Sequence, residues 1–198
     1  MYDKKYYHKY KRLRRKIRIR FTLDLLEISG DKPLRFLDLG CGDGTYSAAL
    51  KKTGHKVVAV DTSAEALHLA RQRGITNCVL ASATHLPTKS DIFDRILLID
   101  VLEHLLEPIK TLSEIHRTLR PNGLLVLQTP NKRSVIMIIL KDSTHLKIYT
   151  MEEVKQLLHS VHFKKVHITL TSFLSRIYPL NTALRHLFRS IIVAAAQK

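Results

Sequence analysis

Phe36-Leu37-Asp38-Leu39-Gly40-Cys41-Gly42-Asp43-Gly44-Thr45 is the stretch on which the reading of the chain turns. An apolar run delivers the backbone into three glycines at alternate positions. Glycine tolerates positive φ and has no Cβ, so such a loop turns sharply and lets a ligand lie against the main chain. Tyr46–Thr53 reads as a helix, and its first N–H groups face the same point. Upstream, Leu34–Leu39 reads as a buried strand. Downstream, Lys56–Val60 reads as the next strand, closed by Asp61, 21 residues after Gly40. That position suits a carboxylate that accepts hydrogen bonds from ribose hydroxyls.

Two nucleotide-like cofactors compete for this arrangement. A dinucleotide loop wants G-x-G-x-x-G, but position 45 is Thr and the third glycine comes one residue early. A dinucleotide also lays a pyrophosphate over the loop, which Asp43 would repel. S-adenosyl-L-methionine carries no phosphate. Its ammonium and sulfonium groups are compatible with Asp38 and Asp43.

Further out, apolar runs alternate with helical patterns, the signature of parallel strands joined by crossover helices. Ser63–Arg73 reads as a helix capped by Ser63, and Cys78–Ala81 as a short strand. Phe93–Ile99 is apolar enough to be a central strand buried on both faces. Pro108–Leu119 has helical periodicity, and Pro121-Asn122-Gly123 turns into a strand over Leu124–Gln128. Met151–Val161 reads as an amphipathic helix with Thr150 and Glu153 as a capping box. Lys164–Leu170 is a late strand.

The ordered set Leu37-Asp38-Leu39-Gly40-Cys41-Gly42-Asp43-Gly44, Val58-Ala59-Val60-Asp61, Phe93-Asp94, Asp100-Val101-Leu102-Glu103-His104 and Leu119-Arg120-Pro121-Asn122-Gly123 resembles the class I S-adenosylmethionine-dependent methyltransferases. The resemblance covers roughly residues 34–170 and extends to methyltransferases of quinone and glycan biosynthesis. It implies an α/β, Rossmann-like methyltransferase fold, a mostly parallel seven-stranded sheet with helices on both faces. It also implies S-adenosyl-L-methionine as cofactor. Asp38, Gly40, Cys41 and Gly42 would surround the methionine moiety, with Gly44 also among the cofactor-binding residues, Asp61 would hold the ribose and Thr62 would flank the adenine. Asp100 would stand beside the methionine end or the acceptor. Many relatives place an acid after the third strand for the adenine amino group. Here the chain reads Ala81-Ser82-Ala83-Thr84, so Ser82 and the backbone of Ala83 are the substitutes.

Methyl transfer to oxygen benefits from a base, and histidine supplies one near neutral pH. Of eleven histidines, His104 follows the fourth strand, where open α/β sheets place ligands. His145 lies in Asp142-Ser143-Thr144-His145-Leu146-Lys147-Ile148-Tyr149-Thr150, which resembles the substrate-facing connection of those methyltransferases. His145 is the candidate base and His104 a pocket-shaping neighbour. The alternatives are a helix-start hydrogen bond for His104 and a loop-ordering one for His145. Val135–Leu140 is an apolar run that reads equally as a lid over a greasy acceptor or as a small helix on the core. Cys41 and Cys78 form no disulfide framework or zinc pattern, and no metal set is evident.

The 198 residues, 45% hydrophobic and 25% charged, suit one globular domain and exclude a disordered chain. The net charge of +16 is concentrated at the ends. Residues 1–20 carry ten Lys or Arg and one acid, and residues 164–198 carry six and none, leaving 17 basic and 16 acidic side chains between them. Three parts are expected: a basic N-terminal helical segment over 1–30, the cofactor-binding domain over 31–170 with a substrate-facing connection over 130–150, and a basic amphipathic tail over 171–198. In the tail, Ala183, Leu184, Leu187, Phe188, Ile191, Ile192 and Ala195 follow helical spacing. Basic residues interleaved with Tyr2, Tyr6, Tyr7 and Tyr10 suit nucleic acid or an anionic membrane, and the apolar tail tilts the reading toward lipid. No run approaches the ~18 apolar residues of a membrane-spanning helix. A cytoplasmic setting with peripheral contact at the inner membrane face is expected. The expected activity is methylation, at oxygen, of a small or lipid-linked acceptor. An RNA methyltransferase and a non-catalytic binding or assembly protein are the alternatives.

Overall fold

A computed structural model describes residues 16–26, 32–134, 143–171 and 191–198. Residues 16–25 form helix α1. The chain continues through β1 (Arg35–Leu39), α2 (Thr45–Lys52), β2 (Lys56–Asp61), α3 (Ala64–Gln72), β3 (Cys78–Leu80) and β4 (Phe93–Ile99). A single 3-10 turn over Leu102–His104 precedes α4 (Pro108–Thr118), β5 (Leu119–Pro130), α5 (Met151–Ser160), β6 (Lys164–Thr171) and β7 (Ile191–Gln197).

The strands form one seven-stranded sheet in the order β3-β2-β1-β4-β5-β7-β6. Pairings from β3 to β5 are parallel, while β7 runs antiparallel to both its neighbours. The fold is therefore the α/β arrangement the resemblance implies. Helices cover both faces because the central strand is apolar on both. Ile96 and Leu98 of β4 pack with Leu112 and Ile115 of α4 and with Val154 and Leu158 of α5. Leu97 and Ile99 point the other way, toward Leu26 after α1 and Leu50 of α2. Side chains of neighbouring strand residues leave opposite faces, so a run of this kind builds two cores.

The two helix caps read from the sequence form as expected, whereas Pro121-Asn122-Gly123, expected as a turn, lies within strand β5 (Leu119–Pro130). The Ser63 hydroxyl accepts from the N–H of Ala66 at the start of α3. Thr150 and Glu153 form the full capping box of α5. The parallel register sets Leu39 beside Val60 and Leu98, so the segments after β1, β2 and β4 emerge side by side. That end of the sheet holds the site.

Two expectations about the ends need correction. The helical stripe assigned to the tail includes Ile191, Ile192 and Ala195, but Ile191–Gln197 is strand β7, inserted between β5 and β6. Ile192, Val193, Ala194 and Ala196 are buried, and the run has no charged face to turn to solvent. A short apolar run fits helical spacing and strand burial equally well, and here two open strand edges decide it. The domain thus reaches residue 197 rather than 170. The N-terminal segment is also no simple appendage, since Thr22 and Leu26 are fully buried against the sheet. Tyr2, Tyr6, Tyr7, Tyr10, the run 135–140 and the remaining tail positions (183, 184, 187 and 188) lie outside the described residues.

Candidate active site

The loop after β1 is fixed by its own backbone. The N–H groups of Gly40 and Cys41 both donate to the Val60 carbonyl, at 2.8 and 3.0 Å. The Gly42 N–H donates to Asp61 Oδ2 at 2.9 Å, and the Ser63 N–H to Asp61 Oδ1 at 2.9 Å. Asp61 therefore ties the glycine loop to the start of α3. Each of its oxygens keeps a further lone pair for a hydroxyl donor. At Gly40 φ is +73° and an added Cβ would lie 2.3 Å from Val101 Cγ2, so only glycine fits. At Gly42 φ is +52°, yet an added Cβ would meet nothing within 4 Å, which is the open side of the loop.

Two cavities meet at Gly40. One, of ≈ 500 Å³, is lined by Arg18, Asp38, Cys41, Gly42, Tyr46 and Asp100 among others. The second, of ≈ 360 Å³, runs past Asp61, Thr62, Ser82, Ala83, Val101 and His104. Gly44 lies at the start of α2 with φ +71°. Every cofactor-site residue expected from sequence thus sits on or beside this pair of cavities. A further hollow of ≈ 420 Å³ at the opposite end of the strands, around Leu37, Val58 and Phe93, gathers no carboxylate.

Asp38 is 2% exposed and accepts from the Ser47 N–H at 3.0 Å and the Ser47 hydroxyl at 2.6 Å. Burial raises its pKa to about 6, against the lowering effect of those two hydrogen bonds. Cys41 is pushed to about 12, by burial first and then by Asp38 and Asp61, so its sulfur is an inert thiol rather than a nucleophile.

Sequence reasoning missed Arg18. From α1 its Nη2 reaches Asp100 Oδ2 at 2.5 Å and approaches Gln128 Oε1 at 3.5 Å. Gln128 Nε2 donates to Thr22 Oγ1 at 2.6 Å, fixing the helix that carries the arginine. Burial is the largest single influence and works against the guanidinium charge, but Asp100, Tyr46 and Glu103 together outweigh it, and the pKa is raised. Asp100 itself has φ +55°, an uncommon conformation that turns its carboxylate toward the cavity. Arg18 is one of ten basic residues in a row-like run, and nothing in that run marks it apart.

A second cluster borders the second of these cavities, through His104. His104 and His145 face each other with ring centroids 5.0 Å apart. His104 Nδ1 lies 2.9 Å from the Thr144 carbonyl. A carbonyl only accepts, so Nδ1 carries the proton and Nε2 is the basic nitrogen. Glu103 is 1% exposed and accepts from the Thr129 hydroxyl at 2.9 Å. Its carbonyl accepts from the N–H groups of Leu146 and Lys147, at 2.9 and 3.2 Å, which holds the His145 segment in place. Burial, with a smaller push from Asp100, raises the Glu103 carboxyl to about 7. Ligand-type atoms of Glu103, His104 and His145 lie within 4.8 Å of one another, a spacing that could hold a divalent cation. The structure brings together His145 and His104, which the sequence reading pairs as base and neighbour, and adds Glu103, which that reading does not include.

The donors around the loop test the cofactor. Asp38, Asp61 and Asp100 border the cavities, and Asp43 Oδ2 is paired with Arg73 at 2.7 Å. Pyrophosphate would meet these carboxylates, whereas a cationic amino group with a carboxylate beside it meets Asp38 and Arg18. The residues fit S-adenosylmethionine.

Comparison with known proteins agrees. A family described as "Methyltransferase domain" matches residues 37–127. A "Ubiquinone biosynthesis O-methyltransferase" of Parvibaculum lavamentivorans is 34% identical over 127 residues, covering 61% of this chain and 49% of the relative. A "Demethylmenaquinone methyltransferase" of Clavibacter sepedonicus is 38% identical over 114 residues, covering 56% and 45%. The chain spans about half the length of these curated relatives. The crystal structure of an S-adenosylmethionine-dependent methyltransferase from Archaeoglobus fulgidus superposes with a TM-score of 0.73 at 20% identity, over 98% of this chain and 100% of the other, and shares the fold.

Proposed function

We propose, from the match of residues 37–127 to a methyltransferase-domain family, that this protein methylates an oxygen of a small, lipid-linked acceptor. The observation that carries the reading is the acidic, glycine-lined pair of cavities with Arg18 across from the loop. When bound, S-adenosylmethionine supplies a methyl group on a positively charged sulfur, open to in-line attack by the acceptor oxygen. Asp61 would accept from the ribose hydroxyls, and Ser82 with the Ala83 backbone would meet the adenine. Asp38 would pair with the ammonium and Arg18 with the carboxylate of the methionine end.

The chain's own contribution is orientation and proton handling, of which orientation alone is worth several kcal/mol. His145 takes the proton of the acceptor hydroxyl. His104, fixed by the Thr144 carbonyl, holds the neighbouring imidazole at 5.0 Å. Buried Glu103 anchors both through Thr129 and the Leu146 N–H. The choice of a quinone-like acceptor is supported by the names of the two relatives above. The RNA alternative has no comparable support.

Incubation with methyl-labelled S-adenosylmethionine and a soluble catechol or quinol tests the reading. Label is expected in the acceptor ether, and His145→Ala should lower turnover ~100-fold or more. Unchanged turnover in that variant removes His145 from proton transfer. Loss of wild-type activity on treatment with a chelator assigns the Glu103–His104–His145 cluster to a cation instead.

A further inference from the structure

We infer that the hollow at the end of the strands opposite the glycine loop is a second binding site, for a carboxylate that carries an aliphatic chain. The site arises where one face of the sheet has no helix over it. Helices α2 and α3 pack on the face that presents Phe36, Val57 and Ala59. On the other face α4 and α5 stand over β4, whereas Leu37, Val58 and Val79 are bordered by residues 81–92, which form no helix. A cavity of ≈ 420 Å³ remains there. That is within the ~300–1,000 Å³ typical of small-molecule sites. Val60 is the only lining residue it shares with the two cavities at Gly40, so a ligand here leaves those open.

The floor and the wall are preformed. Leu37 pairs in register with Val58, and Val60 with Val79, which makes a continuous apolar floor across three strands. The wall is pinned to α4. The Leu86 N–H donates to Glu114 Oε1 at 2.9 Å, and Arg117 Nη2 donates to the Thr88 carbonyl at 2.9 Å and to Glu114 Oε1 at 2.7 Å. A wall held in this way lowers the ordering cost of binding.

The rim supplies the charge. Arg35 and Lys56 are register partners at the open end of β1 and β2, both exposed and both lining the hollow. Among the described residues neither side chain makes a hydrogen bond or an ion pair. No carboxylate lines the cavity. Asp94, one residue past Phe93, is engaged by Arg120 at 2.7 Å and by the backbone N–H of Arg35 at 2.7 Å. Two neighbouring cations with no acid between them match a carboxylate that accepts from both. From that head group the floor leads inward, because Lys56, Val58 and Val60 leave the same face of β2. Lys56 to Val60 spans about 13 Å, roughly the reach of a ten-carbon chain.

Titration of the full chain with sodium decanoate, followed through its methyl resonances, tests the inference. Saturable shifts of the Val58 and Val79 methyls are expected, with decanol binding about tenfold more weakly and acetate not at all. The double variant Arg35→Gln/Lys56→Gln should weaken decanoate binding at least tenfold, while Lys52→Gln on α2 leaves it unchanged. Val58→Thr, which puts a hydroxyl on the floor, should weaken it in the same direction. Absence of saturable shifts at these methyls overturns the inference, as does wild-type affinity in the double variant or decanol binding as tightly as decanoate. Displacement of decanoate by S-adenosylmethionine overturns it too, because it places the ligand in the cofactor cavities.

Discussion

Asp38 is a carboxylate shut off from water at the end of β1, and its pKa of about 6 makes it a pH-sensitive partner for a cation. Pairing with an ammonium requires the ionised form. As pH falls through 6 the carboxyl takes up a proton and the pairing is lost. The dissociation constant for S-adenosylmethionine should therefore rise about tenfold between pH 7 and pH 5, and Asp38→Asn should flatten that profile. Titration calorimetry at the two pH values checks it. Asp38, Gly40, Asp61 and Asp100 were legible in the sequence because each ends a strand, where spacing reports position. Arg18 was not. Its neighbours are equally basic, and only the docking of α1 singles it out. Arg18→Ala should weaken cofactor binding at least tenfold, the scale of a lost charge-assisted hydrogen bond.

The glycine loop works as an element rather than as three separate residues. Gly40 brings the turn against Val101 on the segment after β4, and Gly42 leaves the open side to the ligand. Gly40→Ala would force a methyl to 2.3 Å from Val101 Cγ2 at a φ of +73°. It should lower the melting transition, with a cost of ~1–3 kcal/mol from backbone strain alone, and abolish cofactor binding. Gly42→Ala meets no neighbour and should be milder in stability than in binding. Comparing the two by thermal melts and calorimetry separates a packing role from a ligand role. The strands and caps of this region could be read from the sequence because their periods are local. Strand β7 could not, since its identity depends on open edges at β5 and β6, more than sixty and about twenty residues away.

At the scale of the whole molecule, the charge of +16 no longer divides into a neutral domain and two basic appendages. Residues 16–26 close one cavity through Arg18, and Ile191–Gln197 fills the sheet between β5 and β6. Deleting residues 1–20 should therefore abolish cofactor binding, whereas deleting residues 1–15, which spares α1, should leave it within about threefold of the full chain. The central claim is that the cavities after β1, β2 and β4 bind S-adenosylmethionine. Calorimetric titration of the full chain with S-adenosylmethionine tests it most directly. The expected result is saturable one-to-one binding that Asp61→Ala weakens at least tenfold. Absence of saturable binding, or binding unaffected by Asp61→Ala, would contradict it.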